Sequence, residues 1–126
     1  MLYGVIMSEM ETVRWSVETY IDERGKDPIW EFIRGLQRKE QAKVLRAFDL
    51  LEKYGTRLRM PDARHIEDAL WELRADASRL FYFLHVGRRF IILHGYRKKT
   101  DKAPLREIAT AERRMRDFLE REAHGS

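Results

Sequence analysis

At 126 residues and 15.2 kDa the chain is long enough for one hydrophobic core and too short for two. An apolar fraction of 44% with 11% aromatics excludes a disordered chain, and the absence of cysteine excludes a disulfide scaffold, a thiolate metal site and a thiol nucleophile. Charged residues reach 37%, yet 25 Lys and Arg against 21 Asp and Glu leave only +4, so the placement of charge says more than its sum.

No apolar run approaches the about 20 residues that span a bilayer. Residues 1–10 carry neither the basic start nor the long apolar stretch of a secretory leader. A cytoplasmic protein is expected. Residues 1–12 lack periodicity and contain three methionines, so they are expected to be a tail, with Met7 and Met10 as alternative starts, and residues 13–126 to be one domain. Residues 13–22 alternate, with Val13, Trp15 and Val17 on one side and Arg14, Ser16 and Glu18 on the other, a period of two that argues for a strand. Asp27-Pro28 then opens a helix, because Asp accepts from free N–H groups and Pro has none to leave unpaired. Ile29, Phe32, Ile33 and Leu36 recur at helical spacing, and residues 39–54 give a second helix with Val44, Ala47, Phe48, Leu51 and Tyr54 as its stripe and Gly55 as its cap. Residues 56–65 are expected to be a loop. Residues 70–74, 78–86 and 89–98 are strand-like runs separated by tight turns, and Pro104 opens a final helix to about residue 123. Trp30 and Trp71 are assigned to the core.

The order β-α-α-β-β-β-α predicts an α+β fold, with one antiparallel sheet and the helical hairpin and C-terminal helix packed on one of its faces.

Residues 79–102 hold Arg79, Arg88, Arg89, Arg97, Lys98, Lys99 and Lys102 against Asp101 alone, a net +6 in 24 residues that leaves −2 for the other 102. Such a field attracts a polyanion, and nucleic acid comes first. Alternation puts Leu80, Tyr82, Leu84 and Val86 on one face of a strand and Arg79, Phe81, Phe83 and His85 on the other. In the next strand Phe90, Ile92, His94, Tyr96 and Lys98 oppose Arg89, Ile91, Leu93, Gly95 and Arg97. Rings beside guanidinium groups suit single-stranded RNA, whose bases splay out. The four histidines are scattered with no metal-ligand spacing, and no glycine-rich phosphate loop is present, so neither a metal nor a cofactor is expected.

The stretch LWELRADASRLFYFLHVGRRFIILHGYRKKTDKAP at residues 70–104 resembles the RelE/HigB superfamily of type II toxin–antitoxin toxins, in its phage-derived HigB-like branch. The marks are LWELR, a strand with an early arginine at Ser78-Arg79, a strand running into HGYRKKT, and a proline opening the last helix. With the helical hairpin upstream, the resemblance covers about residues 13–119. It implies a RelE-like fold and a ribosome-dependent endoribonuclease that arrests translation by cutting mRNA in the ribosomal A site. It also implies a cognate helix-turn-helix antitoxin as partner, docked on the basic face or on the helical hairpin. The related ParE branch shares the fold and inhibits DNA gyrase without cutting RNA, and a non-catalytic nucleic-acid-binding regulator is the further alternative.

Metal-free RNA cleavage needs a base for the 2′-hydroxyl, cations on the phosphorane and an acid for the leaving oxygen. The resemblance matches Arg74 and Arg79 to arginines flanking the first hairpin. Arg79 is the candidate transition-state clamp and Arg74 a positioning residue, the alternatives being a solvated strand residue for Arg79 and an ion pair with Glu72 or another acid for Arg74. Lys98 and Lys99 fall where the family places a basic cluster, as proton carriers or as phosphate anchors. His94 either titrates near neutrality or packs as a hydrogen-bonded residue. Arg88, Arg89, Arg97, Lys102, Tyr96 and Tyr82 complete the candidate RNA-binding set, Tyr82 having core packing as its alternative.

Overall fold

Strand β1 (Ser16–Thr19) opens the computed structural model, which describes residues 14–125; the expected tail and alternative starts lie outside the described residues. Helix α1 (Pro28–Arg34) begins where the sequence signals it: Asp27 Oδ1 accepts from the backbone N–H of Ile29 and Trp30 at 3.2 and 3.0 Å, and Pro28 fills the first turn. The other oxygen of Asp27 accepts from Thr19 at 2.5 Å, which fastens the helix start to the end of β1. Helix α2 (Arg38–Tyr54) buries Val44, Ala47, Phe48 and Leu51 and ends at Gly55, where φ is +55° and a Cβ would lie 2.1 Å from the Trp15 ring. That position demands glycine twice over, for its backbone and for the indole seated on it.

The remaining elements are β2 (Ala63–Glu67), β3 (Leu70–Ala75), β4 (Ser78–His85), β5 (Arg89–Arg97) and α3 (Leu105–Gly125). The stretch expected as a loop therefore contains a 3-10 turn at Gly55–Arg57 and a fifth strand, β2. Five residues alternating around Arg64 and Ile66 are too short to announce themselves; pairing with β3 makes them a strand. The sheet order is β1-β5-β4-β3-β2, and β1 runs parallel to β5, so the sheet is mixed rather than wholly antiparallel. The two helices between β1 and the rest provide the long connection that a parallel return requires.

The helices do not share one face. α1 and α2 cover the side that carries Leu73, Leu80 and Ile92, with the Phe32 ring lying where a Cβ on Gly95 would be, 2.6 Å from its Cδ2. α3 covers the opposite side, where its Phe118 meets Phe83 and His85 edge-on at 5.8 and 5.2 Å. Alternation in β4 explains this: both phases are apolar in mid-strand, so each face needs a cover.

A register shift lies in β5. Phe81 pairs with His94 and Tyr82 with Ile92, leaving Leu93 as a bulged residue between them. The single alternation expected from Phe90 to Lys98 is thereby split. Phe90 and Ile92 face the hairpin, whereas His94 and Tyr96 face the α3 side. The expected core assignment of Trp30 also changes, since its ring is exposed on α1 and Trp71 is half-buried. No helix among the described residues is long and apolar enough to cross a membrane.

Candidate functional site

Cross-strand register brings five side chains together near the β3–β4 turn. Arg74 of β3 lies opposite Arg79 of β4, Arg79 opposite Tyr96 of β5, and Arg64 of β2 opposite Glu72 of β3. All project from the α3 side of the sheet. α3 itself runs away from them: its first turns meet His94 through Glu107, and its last turns reach Arg89 through Glu122 at the far end. The turn that aligns this corner places Asp76 at φ +58°, a conformation Asp tolerates better than most residues.

Glu72 is the centre of the group and is only 1% exposed. Its Oε1 lies 3.0 Å from Arg64 Nη2 and 3.9 Å from Arg79 Nε, and its Oε2 accepts from the Tyr96 hydroxyl at 3.3 Å. The Arg64 approach is close but off hydrogen-bond geometry, so it acts as a charge contact rather than a directed bond. A carboxylate buried this deeply persists because cations and a hydroxyl surround it. In return it fixes the guanidinium groups. Arg79, 4% exposed, also donates through Nη1 to the carbonyls of Asp76 and Ser78 at 2.6 and 3.0 Å. Burial first, and then the neighbouring Arg74, weaken its hold on its proton. Arg74 is half-buried, its Nη1 3.1 Å from Met60 Sδ, and it makes no ion pair with Glu72. Burial, with the Glu72 carboxylate next, pushes the Tyr96 hydroxyl up to about 12, so it remains a hydrogen-bond donor at neutral pH.

Lys98 joins this corner. Its backbone N–H donates to Ala77 at 2.8 Å, and its Nζ lies 3.5 Å from Asp101. Lys99 and Lys102 are exposed just beyond, and a groove of about 550 Å³ runs from Arg64 past Lys102 to Leu105 and Ile108. The other expected residues lie elsewhere. Arg97 turns toward the hairpin and pairs with Glu40. Arg88, at the β4–β5 turn, stacks over Trp15 at 4.3 Å, and Arg89 pairs with Glu18 and Glu122 at 2.7 and 2.8 Å. Six strand residues, about 20 Å, separate that end from Arg79. Tyr82 is buried on the hairpin side, its ring edge-on to Phe90 at 5.5 Å.

His94 lies under α3 with both ring nitrogens engaged. Arg114 Nη1 is 3.2 Å from Nδ1 and donates to the carbonyl of bulged Leu93 at 2.9 Å; Nε2 is 2.8 Å from Glu107. Arginine has only donors, so Nδ1 accepts and the proton sits on Nε2, directed at Glu107. Burial, the largest influence, lowers the pKa of the ring despite Glu107. This histidine is thus held neutral, in one tautomer.

Sequence reasoning passed over Arg64 and gave Glu72 only the part of an ion partner for Arg74. Glu72 stands two residues before Arg74 in LWELR and so shares its face, a signal that was available. Arg64 became visible only once β2 paired with β3. Among the described residues no three His, Asp or Glu side chains converge as a metal-ligand set.

The sequence matches the family described as phage derived protein Gp49-like (DUF891) over residues 8–116. No curated protein is a match. Among solved structures, the chain is similar to one in the crystal structure of the toxin–antitoxin complex RelBE2 from Mycobacterium tuberculosis, at 16% identity and a TM-score of 0.49, covering 71% of this chain and 97% of that one.

Proposed function

Because the chain belongs to the phage-derived Gp49-like family, a family of RelE-like toxins, we propose that it is the toxin of a type II toxin–antitoxin pair and cuts mRNA in the ribosomal A site. The observation that carries this reading is the convergence of Arg64, Arg74, Arg79 and Tyr96 around buried Glu72, beside Lys98, at the end of the sheet that α3 leaves open. In the proposed reaction the RNA 2′-oxygen attacks the adjacent phosphorus, a 2′,3′-cyclic phosphate forms, and the bond to the 5′-oxygen breaks. The 2′-hydroxyl proton leaves to a base, and the departing 5′-oxygen takes up a proton. Arg74 contacts the non-bridging oxygens, and Arg79, fixed by Glu72 and two carbonyls, holds positive charge behind them where the phosphorane becomes dianionic. Lys98 is the candidate proton carrier, and Lys99 and Lys102 anchor flanking phosphates. The ribosome supplies alignment of the substrate. The partner is a cognate helix-turn-helix antitoxin, and the site of action is the cytoplasm.

Expression of the chain alone is expected to arrest translation, with primer extension locating cuts inside translated regions. Arg74→Ala is expected to reduce cutting about 10²-fold or more. Lys98→Arg keeps the charge but cannot move a proton, and is expected to behave like Lys98→Ala. Growth arrest with intact transcripts refutes the nuclease reading.

The engagement of both His94 nitrogens and of Arg79 inside the protein favours a second reading, a basic face that binds RNA without cutting it. Saturable RNA binding without turnover on translating ribosomes separates the two.

A further inference from the structure

On the hairpin side of the sheet, opposite the arginine cluster, a pocket of about 260 Å³ opens between the end of α2 and the β2–β3 turn. Its walls are Leu58, Trp71, Leu84 and Phe90, with Tyr82 among the lining residues. Tyr82 is 3% exposed, and its hydroxyl makes no hydrogen bond within the described residues. The hydroxyl is not among the buried unpaired atoms, so it opens on the pocket, where a bound acceptor would take the place of water. The pocket continues into uncovered apolar surface: Leu84 is 42% exposed and Val86 74%. The rim is cationic. Arg59 lies over the Trp71 ring at 5.2 Å, and Arg88 lies over Trp15, whose ring rests on Gly55; Asp68 stands beside the lining residue Ala69.

We infer that this pocket and its rim receive an acidic segment of a partner protein, which inserts one large apolar side chain against Trp71 and Phe90 and presents an acceptor to Tyr82. The volume admits one aromatic side chain, the apolar strip along Leu84 and Val86 calls for protein rather than solvent, and the arginines select acidic flanks. A nucleotide would be less well served, since the strip leading into the pocket offers nothing to its sugar and phosphates. The inference rests on the toxin reading for the partner's identity, the cognate antitoxin. It places that partner on the face opposite the proposed cleavage site.

The test has two arms. In cells, Leu84→Asp and Val86→Asp are expected to remain toxic and to escape neutralisation by the cognate antitoxin. In solution, NMR titration of the purified chain with indole-3-propionate, a ring joined to a carboxylate, is expected to show saturable shifts at Leu58 and Leu84. Tyr82→Phe should weaken this about fivefold or more, and AMP should not compete. Neutralisation of Leu84→Asp as effective as that of the parent chain, or loss of toxicity in the folded variant, overturns the inference. So does displacement of the indole compound by AMP, which would mark a nucleotide site. If the parent chain is not toxic, the toxin reading fails, and the titration alone decides the pocket: absence of saturable binding there overturns the inference.

Discussion

Arg79 and Arg74 face each other across two strands yet are held in different ways, and that difference separates their mutational signatures. Arg79 is tied to Glu72 and to two turn carbonyls, so Arg79→Ala is expected to lower both thermal stability and cleavage. Arg74 is half-buried and makes no ion pair among the described residues, so Arg74→Ala is expected to shift stability by less than about 1 kcal/mol while reducing cleavage about 10²-fold or more. Paired melting curves and primer extension check this contrast; equal melting losses in the two variants would contradict it. His94 gives a pH signature. Its folded pKa lies below the ordinary value of 6.5, so below about pH 6.5 the unfolded chain binds a proton that the folded chain refuses. Stability is therefore complete above that pH and falls on acidification, by at most about 1.4 kcal/mol per pH unit, until the folded pKa is passed. His94→Gln should flatten denaturant midpoints between pH 7 and 5; an unchanged slope would remove His94 as the cause.

At the scale of elements, the glycine in HGYRKKT is explained by packing. Gly95 is the floor on which Phe32 of α1 rests, and the Cβ of Gly95→Ala would sit 2.6 Å from that ring. A loss of about 1–3 kcal/mol is expected, with α1 the first element to loosen in hydrogen exchange, and an unchanged melting temperature would count against this packing. The helices were legible because Asp27-Pro28 and Gly55 mark their ends with local chemistry, and β3, β4 and β5 because their runs are long. β2 was not, since a five-residue strand is decided by its neighbour. The bulge at Leu93 was not either, because an extra residue leaves composition unchanged and shows only when two strands are aligned. The assignment of helices to two faces depends on the same long-range pairing.

Across the whole molecule, the seven cations counted in residues 79–102 divide into separate populations. Arg79 is buried against Glu72, and Arg88, Arg89 and Arg97 are occupied by Trp15, Glu18 with Glu122, and Glu40 respectively, whereas Lys98, Lys99 and Lys102 join Arg74 at the open corner. Four accessible cations predict that the logarithm of affinity for single-stranded RNA falls with the logarithm of salt at a slope of about −3; seven would give about −5. Anisotropy titrations at several salt concentrations measure it, and the steeper value would mean that the paired arginines release their acids on binding. Of the candidate site, Arg79 and Lys98 were readable in the charge run and Arg74 through the family resemblance; Arg64 and the grouping around Glu72 were not, since proximity across β2, β3, β4 and β5 is a property of register.

The inserted residue in β5 has a wider reach than its size suggests. Side chains in a strand swap sides at every step, so a β5 that paired Leu93 regularly, opposite Phe81, would present Gly95 and Arg97 to the arginine side of the sheet. His94 would then stand opposite Leu80 and be driven into the space that Phe32 occupies. One peptide unit therefore decides which half of HGYRKKT joins the arginine corner and which half is spent on holding the protein together, and a β5 without the bulge would exchange those allegiances without altering a single charge.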